Sequence, residues 1–375
     1  MKLYFVAGEA SGDSRGAELI QSLSAKQPGI EFLGLGGRQM RALSREQIED
    51  WCERAAVLGF IDVIKNYGYF RDRLNSTIEK VIQLKPDAVV LIDYPGFNLR
   101  LAKAVRARNP AQRIIYYISP QVWAWNRGRI PKMARDLDLM ICIFPFEKPL
   151  YEQSGLKTEF VGHPMVDSLG AKRTNAPRDP DLVTLLPGSR KREVKKIFPV
   201  MVQAAGLILK KRPGTRFAAA AASPKMAALM QEILTEQGNG GNGLPCELSL
   251  RNAHELMQGA SAGMVASGTA TLEASFFRLP YVLIYKAAWL TFFVGRRLVR
   301  VKWLGIVNIL AGREIVREFL QEDAKPEAIA GEVLSLLDEP AARQRLQAAT
   351  EEVIAQLGQP GASDRAAEAI LGVLR

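Results

Sequence analysis

The chain has 375 residues, of which 48% are hydrophobic and 24% charged, and this balance excludes a disordered or fibrous protein. Its length exceeds what one hydrophobic core usually serves, so we expect two domains. Three scattered cysteines and two isolated histidines exclude a disulfide framework and a zinc cluster, which fits a reducing cytoplasm. The formal net charge of +11 indicates an anionic partner, but no zinc finger, RNA-recognition motif or lysine-rich tail favours nucleic acid.

Strand-like apolar runs alternate with helical periods along the chain. In order, the runs are KLYFVAG, EFLGLGG, AVVLID, RIIYYIS, LMICIFP, LVTLLPG, RFAAAAA, GMVASG and PYVLIY. This alternation predicts an α/β fold with parallel sheets covered by helices on both faces. Residues 163–181, rich in proline and charge, predict a linker between two similar halves. The final segment, broken at Gly358–Gly361, predicts two alanine-rich helices that pack back on either half.

The first predicted strand ends in GEASGD, which places Glu9 and Ser11 where a helix begins. In an open parallel sheet, ligands bind beyond the carboxyl ends of the strands, beside the unpaired N–H groups of the next helix. The motif therefore predicts one wall of a ligand site.

Two other motifs lack the context that their chemistry needs. Gly34-Leu35-Gly36-Gly37 misses the third glycine of the dinucleotide fingerprint, and no GxxxxGK[ST] occurs, so no cofactor is predicted. Asp136-Leu137-Asp138 has the DxD spacing of metal-dependent sugar transferases, but Asp138 opens an apolar run and is better explained as a strand boundary. No metal site is therefore predicted.

Two strand ends in the second half carry small residues ahead of a helix. In LLPGSR, Gly188 lets the backbone approach an anion, Ser189 caps the helix and Arg190 offers a bidentate donor to phosphate. In ASGTATLE, Glu273 lies one turn into the helix, where it can accept hydrogen bonds from ribose hydroxyls. Each motif alone is also typical of an ordinary capped strand-turn-helix. Together they predict a nucleotide-diphosphate cleft lined by Gly188, Ser189, Arg190, Ser267, Gly268, Thr269, Ala270 and Glu273.

These motifs occur among others in an order that resembles lipid A disaccharide synthase, a family of bacterial transferases that join two acylated glucosamines. The blocks are GEASGD, LIDYPGFNLRLAK, YYISPQVWAW, FPFEKPLYEQSG, FVGHPMVDSL, LLPGSR, ASGTATLE and NILAGREIVREFLQE, and they span residues 8–322. The resemblance thus covers nearly the whole chain.

The resemblance implies an inverting glycosyltransferase of the GT-B fold, with two Rossmann-like parallel-sheet domains, an interdomain cleft and C-terminal helices. The donor would be UDP-2,3-diacylglucosamine and the acceptor 2,3-diacylglucosamine 1-phosphate, joined by a β-1,6 bond with release of UDP. Residues 1–165 would bind the acceptor and the membrane, residues 166–345 the UDP-sugar, and residues 346–375 would pack back on the body. Positive groups and a helix N-terminus would stabilise the leaving diphosphate without a metal.

The resemblance also implies roles for single residues. Asp93 would take the proton of the acceptor's 6-hydroxyl, although the residues alone leave open that it caps the turn before Pro95. Glu9 is the second candidate, as an orienting acid or an alternative base. Asn308 joins the nucleotide side, or caps a helix instead. The remaining acceptor-side residues are Ser11, Asn98, Ser119, Gln121 and Trp123, with Asn98 organising the Asp93 loop.

Two positions depart from the family pattern. The chain has Gly96 where the family commonly has an acid, and Asn126 where it commonly has an arginine, so Arg127 and Arg129 are the candidates for nearby charge. His163 is expected to be structural or cleft-lining rather than catalytic.

Two aromatic and basic segments account for the charge. GFIDVIKNYGYFRDRL and KAAWLTFFVGRRLVRVK combine apolar side chains with arginine and lysine, which is typical either of a core helix with a basic outer face or of docking on anionic lipid. Docking in both halves is our prediction. The resemblance implies in addition that copies of the chain can associate through their C-terminal segments. The predicted membrane residues are Phe60, Ile64, Tyr67, Trp289, Phe292 and Phe293.

No run of eighteen apolar residues occurs, and the N-terminus does not read as a signal peptide. The chain is therefore expected in the cytoplasm, peripheral on the cytoplasmic face of the inner membrane. The alternatives are another UDP-sugar enzyme of the same architecture, such as a UDP-sugar epimerase, or a non-catalytic membrane-associated protein that binds sugar nucleotides.

Overall fold

A computed structural model describes residues 1–52, 67–174, 176–237, 244–250, 253–286 and 301–375. The chain divides into two compact units. Unit 1 comprises Met1–Asp167 with Leu357–Arg375, and unit 2 comprises Ser168–Gln356. The chain thus enters unit 2 two residues after the expected boundary at 165. It leaves unit 2 eleven residues after the expected boundary at 345, because a helix assigned to the C-terminal segment belongs to unit 2.

Unit 1 contains a parallel sheet with the strand order β3-β2-β1-β4-β5-β6-β7 in its described residues. The reversal of order between β1 and β4 is the switch point at which open α/β sheets bind ligands. The strands are β1 (Lys2–Ala7), β2 (Glu31–Gly36), β3 (Ile48–Asp50), β4 (Ala88–Ile92), β5 (Ile114–Tyr117), β6 (Leu139–Cys142) and β7 (Thr158–Phe160).

Helices connect these strands and cover both faces of the sheet. They are α1 (Ala10–Lys26), α2 (Arg38–Leu43), α3 (Tyr67–Leu84), α4 (Pro95–Arg108), α5 (Val122–Trp125), α6 (Ile130–Asp136), α7 (Glu147–Glu152) and α8 (Met165–Gly170). A short 3-10 helix, Arg127–Arg129, lies between α5 and α6. Segment 163–181, predicted as a linker, contains the boundary between the two units after Asp167, and it also contains α8 and the first residues of the next strand.

The side-chain alternation of β1 divides the interior of unit 1 into two cores. Tyr4 and Val6 pack in one core with Leu91, whereas Leu3 and Phe5 pack in the other on the opposite face of the sheet. The C-terminal helix completes the second core through its buried residues Ala366, Ala367, Ile370 and Leu371. Because these side chains are part of that core, the last helix is an integral layer of unit 1.

Unit 2 contains a second parallel sheet with the order β10-β9-β8-β11-β12-β13 in its described residues. Its strands are β8 (Asp179–Leu186), β9 (Arg216–Ala220), β10 (Cys246–Ser249), β11 (Ala260–Ala266), β12 (Tyr281–Tyr285) and β13 (Glu318–Leu320). Its helices are α9 (Lys191–Lys211), α10 (Pro224–Gln237), α11 (Ala253–Gly259), α12 (Thr269–Phe276), α13 (Ile306–Ala311), α14 (Pro326–Asp338) and α15 (Pro340–Ala355). The last helix of the chain, α16 (Ala362–Leu374), returns to unit 1, and the predicted break between α15 and α16 is present.

The prediction of two parallel-sheet α/β domains followed by C-terminal helices is confirmed. Among the residues that the structure describes, no helix has both the length and the apolar content needed to cross a membrane.

Candidate active site

Asp93 directly follows β4, at the switch point of the unit 1 sheet. Asp93 and Tyr94 both adopt left-handed backbone conformations, with φ of 45° and 49°. Two consecutive non-glycine residues in this region are strained, and such strain persists only where the surroundings hold it. The chain therefore fixes the Asp93 carboxyl group at the carboxyl edge of the sheet at an energetic cost.

Asn98 and Tyr116 hold this strained turn. The Asn98 side-chain amide donates to the carbonyl oxygens of Val6, Ile92 and Asp93, and it is fully buried. The Tyr116 hydroxyl donates to the same Asp93 carbonyl. The structure thus places Asn98 where the sequence predicts it, as an organiser of the Asp93 loop.

The carboxyl group of Asp93 is electrostatically perturbed. Burial, and then repulsion by Glu9, raises the pKa of Asp93 to about 6, although a hydrogen bond from the Tyr94 backbone works in the opposite direction. A carboxylate with such a pKa is largely ionised near neutral pH and is more basic than an exposed aspartate. Both properties suit a general base.

The GEASGD turn contains both exposed and buried side chains. Glu9 and Ser11 are exposed, so both are accessible to a ligand at this edge. Asp13 is buried and accepts hydrogen bonds from the backbone N–H groups of Gly37, Gln39 and Met40. The last acid of the motif therefore anchors the first turn of α2.

Gly8, which precedes Glu9, is required by close packing. A Cβ atom at Gly8 would lie 2.3 Å from the ring of Tyr94. The side chain next to Asp93 therefore packs directly on the GEASGD backbone, and this contact joins the two motifs.

The sequence predicts that Ser119 and Trp123 face the acceptor. Their side chains are instead buried, at 7% and 3% exposure, and are not presented to a ligand. Both donate to the carboxylate of Glu147, which is 1% exposed. Gln121, between them, is exposed and remains available to an acceptor. Sequence reasoning missed Glu147. The available signal was an acid flanked by aromatic and proline residues in FPFEKPLY, directly after a predicted strand.

Burial lowers the pKa of His163 to about 4, and its Nδ1 atom accepts a hydrogen bond from the Met165 backbone. Imidazole nitrogen used in this way supports a structural role, as the sequence predicts.

In unit 2, the predicted nucleotide motifs meet in one cleft of about 550 Å³. Because β8 and β11 are adjacent and parallel, their carboxyl ends bring LLPGSR and ASGTATLE side by side. The predicted residues that line the cleft are Gly188, Ser189, Arg190, Ser267, Gly268, Thr269, Ala270 and Glu273.

The backbone of both turns is adapted to close approach. Gly188 and Gly268 have φ of 99° and 147°, a region that other residues rarely adopt. Gly268 is the N-cap of α12, and Arg190 is the N-cap of α9. Because the N-cap of α9 is Arg190, the prediction that Ser189 caps α9 is wrong. Among the described side chains, none caps the backbone N–H groups at the start of either helix. The terminal N–H groups of these helices can therefore bind an anion.

Arg190 and Glu273 each have one ion-pair partner among the described residues. Arg190 is 83% exposed at its side chain and lies 3.1 Å from Glu193. Glu273 lies 3.4 Å from Nε2 of His254. The Arg190 side chain is exposed and that of Glu273 is 30% exposed, so both pairs contribute little to stability and both groups can bind a ligand instead.

Asn308 is not in this cleft. It is fully buried in α13, where its amide group donates to Val316 and Glu318 and accepts from the backbone of Ile315 and Val316. As the third residue of α13 it is not a helix cap either. The structure assigns Asn308 to the turn between α13 and β13.

Asp138 of the DxD motif has a structural role. Asp138 precedes β6 and accepts from the side chain of Arg106 at 2.6 Å and from the backbone of Ile114 at 2.7 Å. In the described part of the chain, no three His, Cys, Asp or Glu side chains form a group suited to a metal ion.

The predicted membrane residues Phe60, Ile64, Trp289, Phe292 and Phe293 lie outside the described residues. For Tyr67 the structure describes only the backbone, which begins α3.

Comparison with known proteins decides the family. The family model of lipid-A-disaccharide synthetase matches residues 3–373. The chain belongs to this family. The curated lipid-A-disaccharide synthase of Geobacter metallireducens is 37% identical over 382 residues, covering 100% of this chain and 97% of that protein. The prediction of a glycosyltransferase of lipid A biosynthesis is confirmed by this membership.

Solved structures share the fold at much lower identity. The S. aureus MnaA structure with UDP has a TM-score of 0.64 at 14% identity and covers 100% of this chain and 96% of its own. CalG4, the calicheamicin glycosyltransferase, has a TM-score of 0.59 at 15% identity and covers 100% and 98%. At these identities the likeness shows a GT-B-like fold alone, so it does not favour the epimerase alternative over the family.

Proposed function

We propose that this chain transfers 2,3-diacylglucosamine from its UDP derivative to the 6-hydroxyl of 2,3-diacylglucosamine 1-phosphate, forming a β-1,6 bond and releasing UDP. The observation that carries the proposal is the coincidence of family membership with a basic carboxylate, Asp93, at the switch point of unit 1. The nucleotide-sized cleft in unit 2 supports the same activity.

The donor's diphosphate is proposed to bind at the N-termini of α9 and α12. Arg190 would pair with a phosphate, and the carboxylate of Glu273 would accept hydrogen bonds from the ribose. The support is that both side chains line the cleft and that each forms a single ion pair within the part of the chain that the structure describes. The fold-related MnaA structure contains UDP, which agrees with a uridine nucleotide.

The acceptor's 6-oxygen would attack the anomeric carbon of the donor as the bond between that carbon and the diphosphate breaks. The proton of the 6-hydroxyl passes to Asp93, and the electron pair of the broken bond leaves with UDP. Attack on the face opposite the leaving group inverts the anomeric centre. Helix N-termini and Arg190 stabilise the charge that develops on the diphosphate.

Glu9 is proposed to tune Asp93 rather than replace it. Since the charge of Glu9 raises the pKa of Asp93, we expect Glu9→Gln to lower that pKa below about 6. Turnover requires ionised Asp93, so it falls as pH drops through this pKa, and the acid limb of the profile should move to lower pH in the variant. At pH 8 turnover should stay within about twofold of the wild type.

Initial rates of the wild type, Glu9→Gln and the control Glu46→Gln, measured from pH 5 to 9, check this expectation. Glu46 is an exposed carboxylate of the same unit. If Glu9→Gln is inactive at every pH while folded, Glu9 is itself the base.

The activity is tested with the purified full chain and both acylated sugars. We expect a disaccharide 1-phosphate, identified by mass spectrometry, only when donor and acceptor are present together. UDP-N-acetylglucosamine alone should remain unchanged. Its epimerisation without disaccharide formation would support the epimerase, and UDP-sugar binding without either reaction would support a non-catalytic protein.

Because its proposed substrates are lipids, the chain is expected to work at the cytoplasmic face of the inner membrane as a peripheral protein. Association between copies is a separate proposal. Segments 60–74 and 286–302 are proposed to dock on anionic lipid. We expect the protein to sediment with anionic vesicles and to be released by high salt, since about 1 kcal/mol per basic residue contributes near such a surface.

A variant with serine at Ile64, Tyr67, Trp289 and Phe292 should no longer sediment but should still bind UDP. Loss of UDP binding together with unfolding would show that these side chains belong to a core. Sedimentation like that of the wild type would place the docking surface elsewhere.

A further inference from the structure

The carboxylate of Glu147 is the centre of a buried polar cluster. It accepts hydrogen bonds from Oγ of Ser119, from Nε1 of Trp123 at 2.9 Å and from the backbone N–H of Phe144 at 3.1 Å. A carboxylate with this many donors is fixed in position, and it fixes the groups that donate to it.

Two of these donors belong to the loop that follows β5, residues 119–129, which we name the acceptor loop. Ser119, Val122 and Trp123 are buried, whereas Gln121 is exposed and residues 124–129 are exposed or partly exposed. Gln121 and Arg127 are exposed, and Trp125 is 44% exposed, with the guanidinium of Arg129 over its ring at 5.2 Å. The cluster therefore holds the loop by its inner side chains and leaves an aromatic and basic outer surface.

The acceptor loop starts at the same sheet edge as Asp93. β4 and β5 are parallel neighbours, and the Asp93 backbone N–H donates to the carbonyl of Tyr117, two residues before Ser119. The Tyr116 hydroxyl donates to the Asp93 carbonyl. Asp93 is thus hydrogen-bonded to the end of β5, the strand from which the acceptor loop starts.

We propose that Glu147 is a positioning residue, which holds the acceptor loop so that its aromatic and basic surface receives an acylated sugar phosphate beside Asp93. An indole ring offers apolar area to an acyl chain or sugar face, and arginines bind phosphate. The inference rests on the proposed function, since it assigns the surface that would bind the acceptor of that reaction.

Glutamine at position 147 has the size of glutamate but replaces one acceptor oxygen with a donor, which opposes the surrounding N–H and O–H donors. We expect Glu147→Gln to raise the KM for 2,3-diacylglucosamine 1-phosphate by about tenfold, with the KM for the donor and the affinity for UDP within about twofold of the wild type. UDP binds in unit 2 under the proposal, so a change confined to unit 1 should leave its affinity unaltered.

Glu152→Gln is the matched control, because Glu152 ends the same helix but is exposed. Trp123→Phe, which removes one donor and keeps an aromatic ring, replaces Glu147→Gln if that variant does not fold. It should raise the acceptor KM about threefold, in line with the loss of one hydrogen bond of the cluster. An unchanged acceptor KM in either folded variant, or an equal rise of both KM values, overturns the inference.

A spectroscopic signal distinguishes positioning from general stability. Burial raises the pKa of Glu147 to about 7. Cys142 and Tyr151 are titratable neighbours of Glu147, and burial raises their pKa values so far that neither group titrates near pH 7. Tryptophan fluorescence should therefore change with a midpoint near pH 7. The change should be absent in Glu147→Gln and in Trp123→Phe but present in Glu152→Gln.

Persistence of the transition in both cluster variants would also overturn the inference. If the wild type forms no disaccharide at all, the proposed function fails instead. The two failures are therefore distinguishable, since the kinetic comparison is made only after disaccharide formation by the wild type.

Discussion

Asparagine in place of Asp93 is expected to lower turnover by about a hundredfold or more, the usual contribution of general-base catalysis. Asparagine has nearly the same size and tolerates the left-handed conformation that Asp93 adopts, so the turn held by Asn98 and Tyr116 should remain intact. The measurement is kcat with both acylated sugars saturating. The control is UDP affinity, which a change in unit 1 should leave unaltered.

The same substitution has a defined effect on stability. The pKa of Asp93 is raised from 3.8 to about 6 in the folded chain, so its contribution to stability is fully present below pH 3.8 and is lost as pH rises through 6. At about pH 7.5 the Asp93→Asn variant should thus be at least as stable as the wild type. Turnover retained in Asp93→Asn, or abolished in the wild type by a chelator, would contradict the mechanism.

Alanine in place of Arg190 or Glu273 is expected to weaken UDP binding by about tenfold or more in each case. A charge-assisted hydrogen bond that becomes buried on binding contributes about 1.5 to 3 kcal/mol, which corresponds to this change in affinity. Both side chains line the cleft without any essential bond to the fold, so thermal unfolding should move little. Calorimetric titration with UDP measures the effect.

Arg192→Ala is the matched control, since Arg192 is an exposed arginine two residues further along α9. It should bind UDP like the wild type. If Arg190→Ala and Glu273→Ala also bind UDP normally, the two turns are ordinary strand-helix connections and the nucleotide binds elsewhere.

Apolar runs in the sequence predict the central strands of both sheets, but they do not predict the short strands at the sheet edges. β3, β7, β10 and β13 have three or four residues each and form the outer edges of the two sheets. Edge strands are half-exposed and too short for an apolar run, so they form because a neighbouring strand offers hydrogen bonds, a tertiary cause. The helix α16 could be predicted, but its place in the second core of unit 1 depends on packing with α1 and β1.

The candidate site also combines features that the local sequence determines with features that depend on tertiary packing. Strand-end motifs such as LLPGSR can be recognised from a few consecutive residues. The parallel sheet then brings these motifs together at the carboxyl ends of its strands. Glu147 could not be assigned in this way, because its side-chain donors lie 24 and 28 positions earlier in the chain. Asn308 illustrates the reverse case, since an amide in a family motif is used entirely within its own turn.

The most direct test of the account is the stoichiometry and linkage of the products. Purified chain is mixed with UDP-2,3-diacylglucosamine and 2,3-diacylglucosamine 1-phosphate, with and without a chelator, and UDP and disaccharide are quantified together before the new linkage is determined by NMR. We predict equal amounts of UDP and disaccharide, a β-1,6 linkage and no effect of the chelator. Release of UDP without disaccharide, or an α linkage, would contradict direct inverting transfer to the 6-hydroxyl.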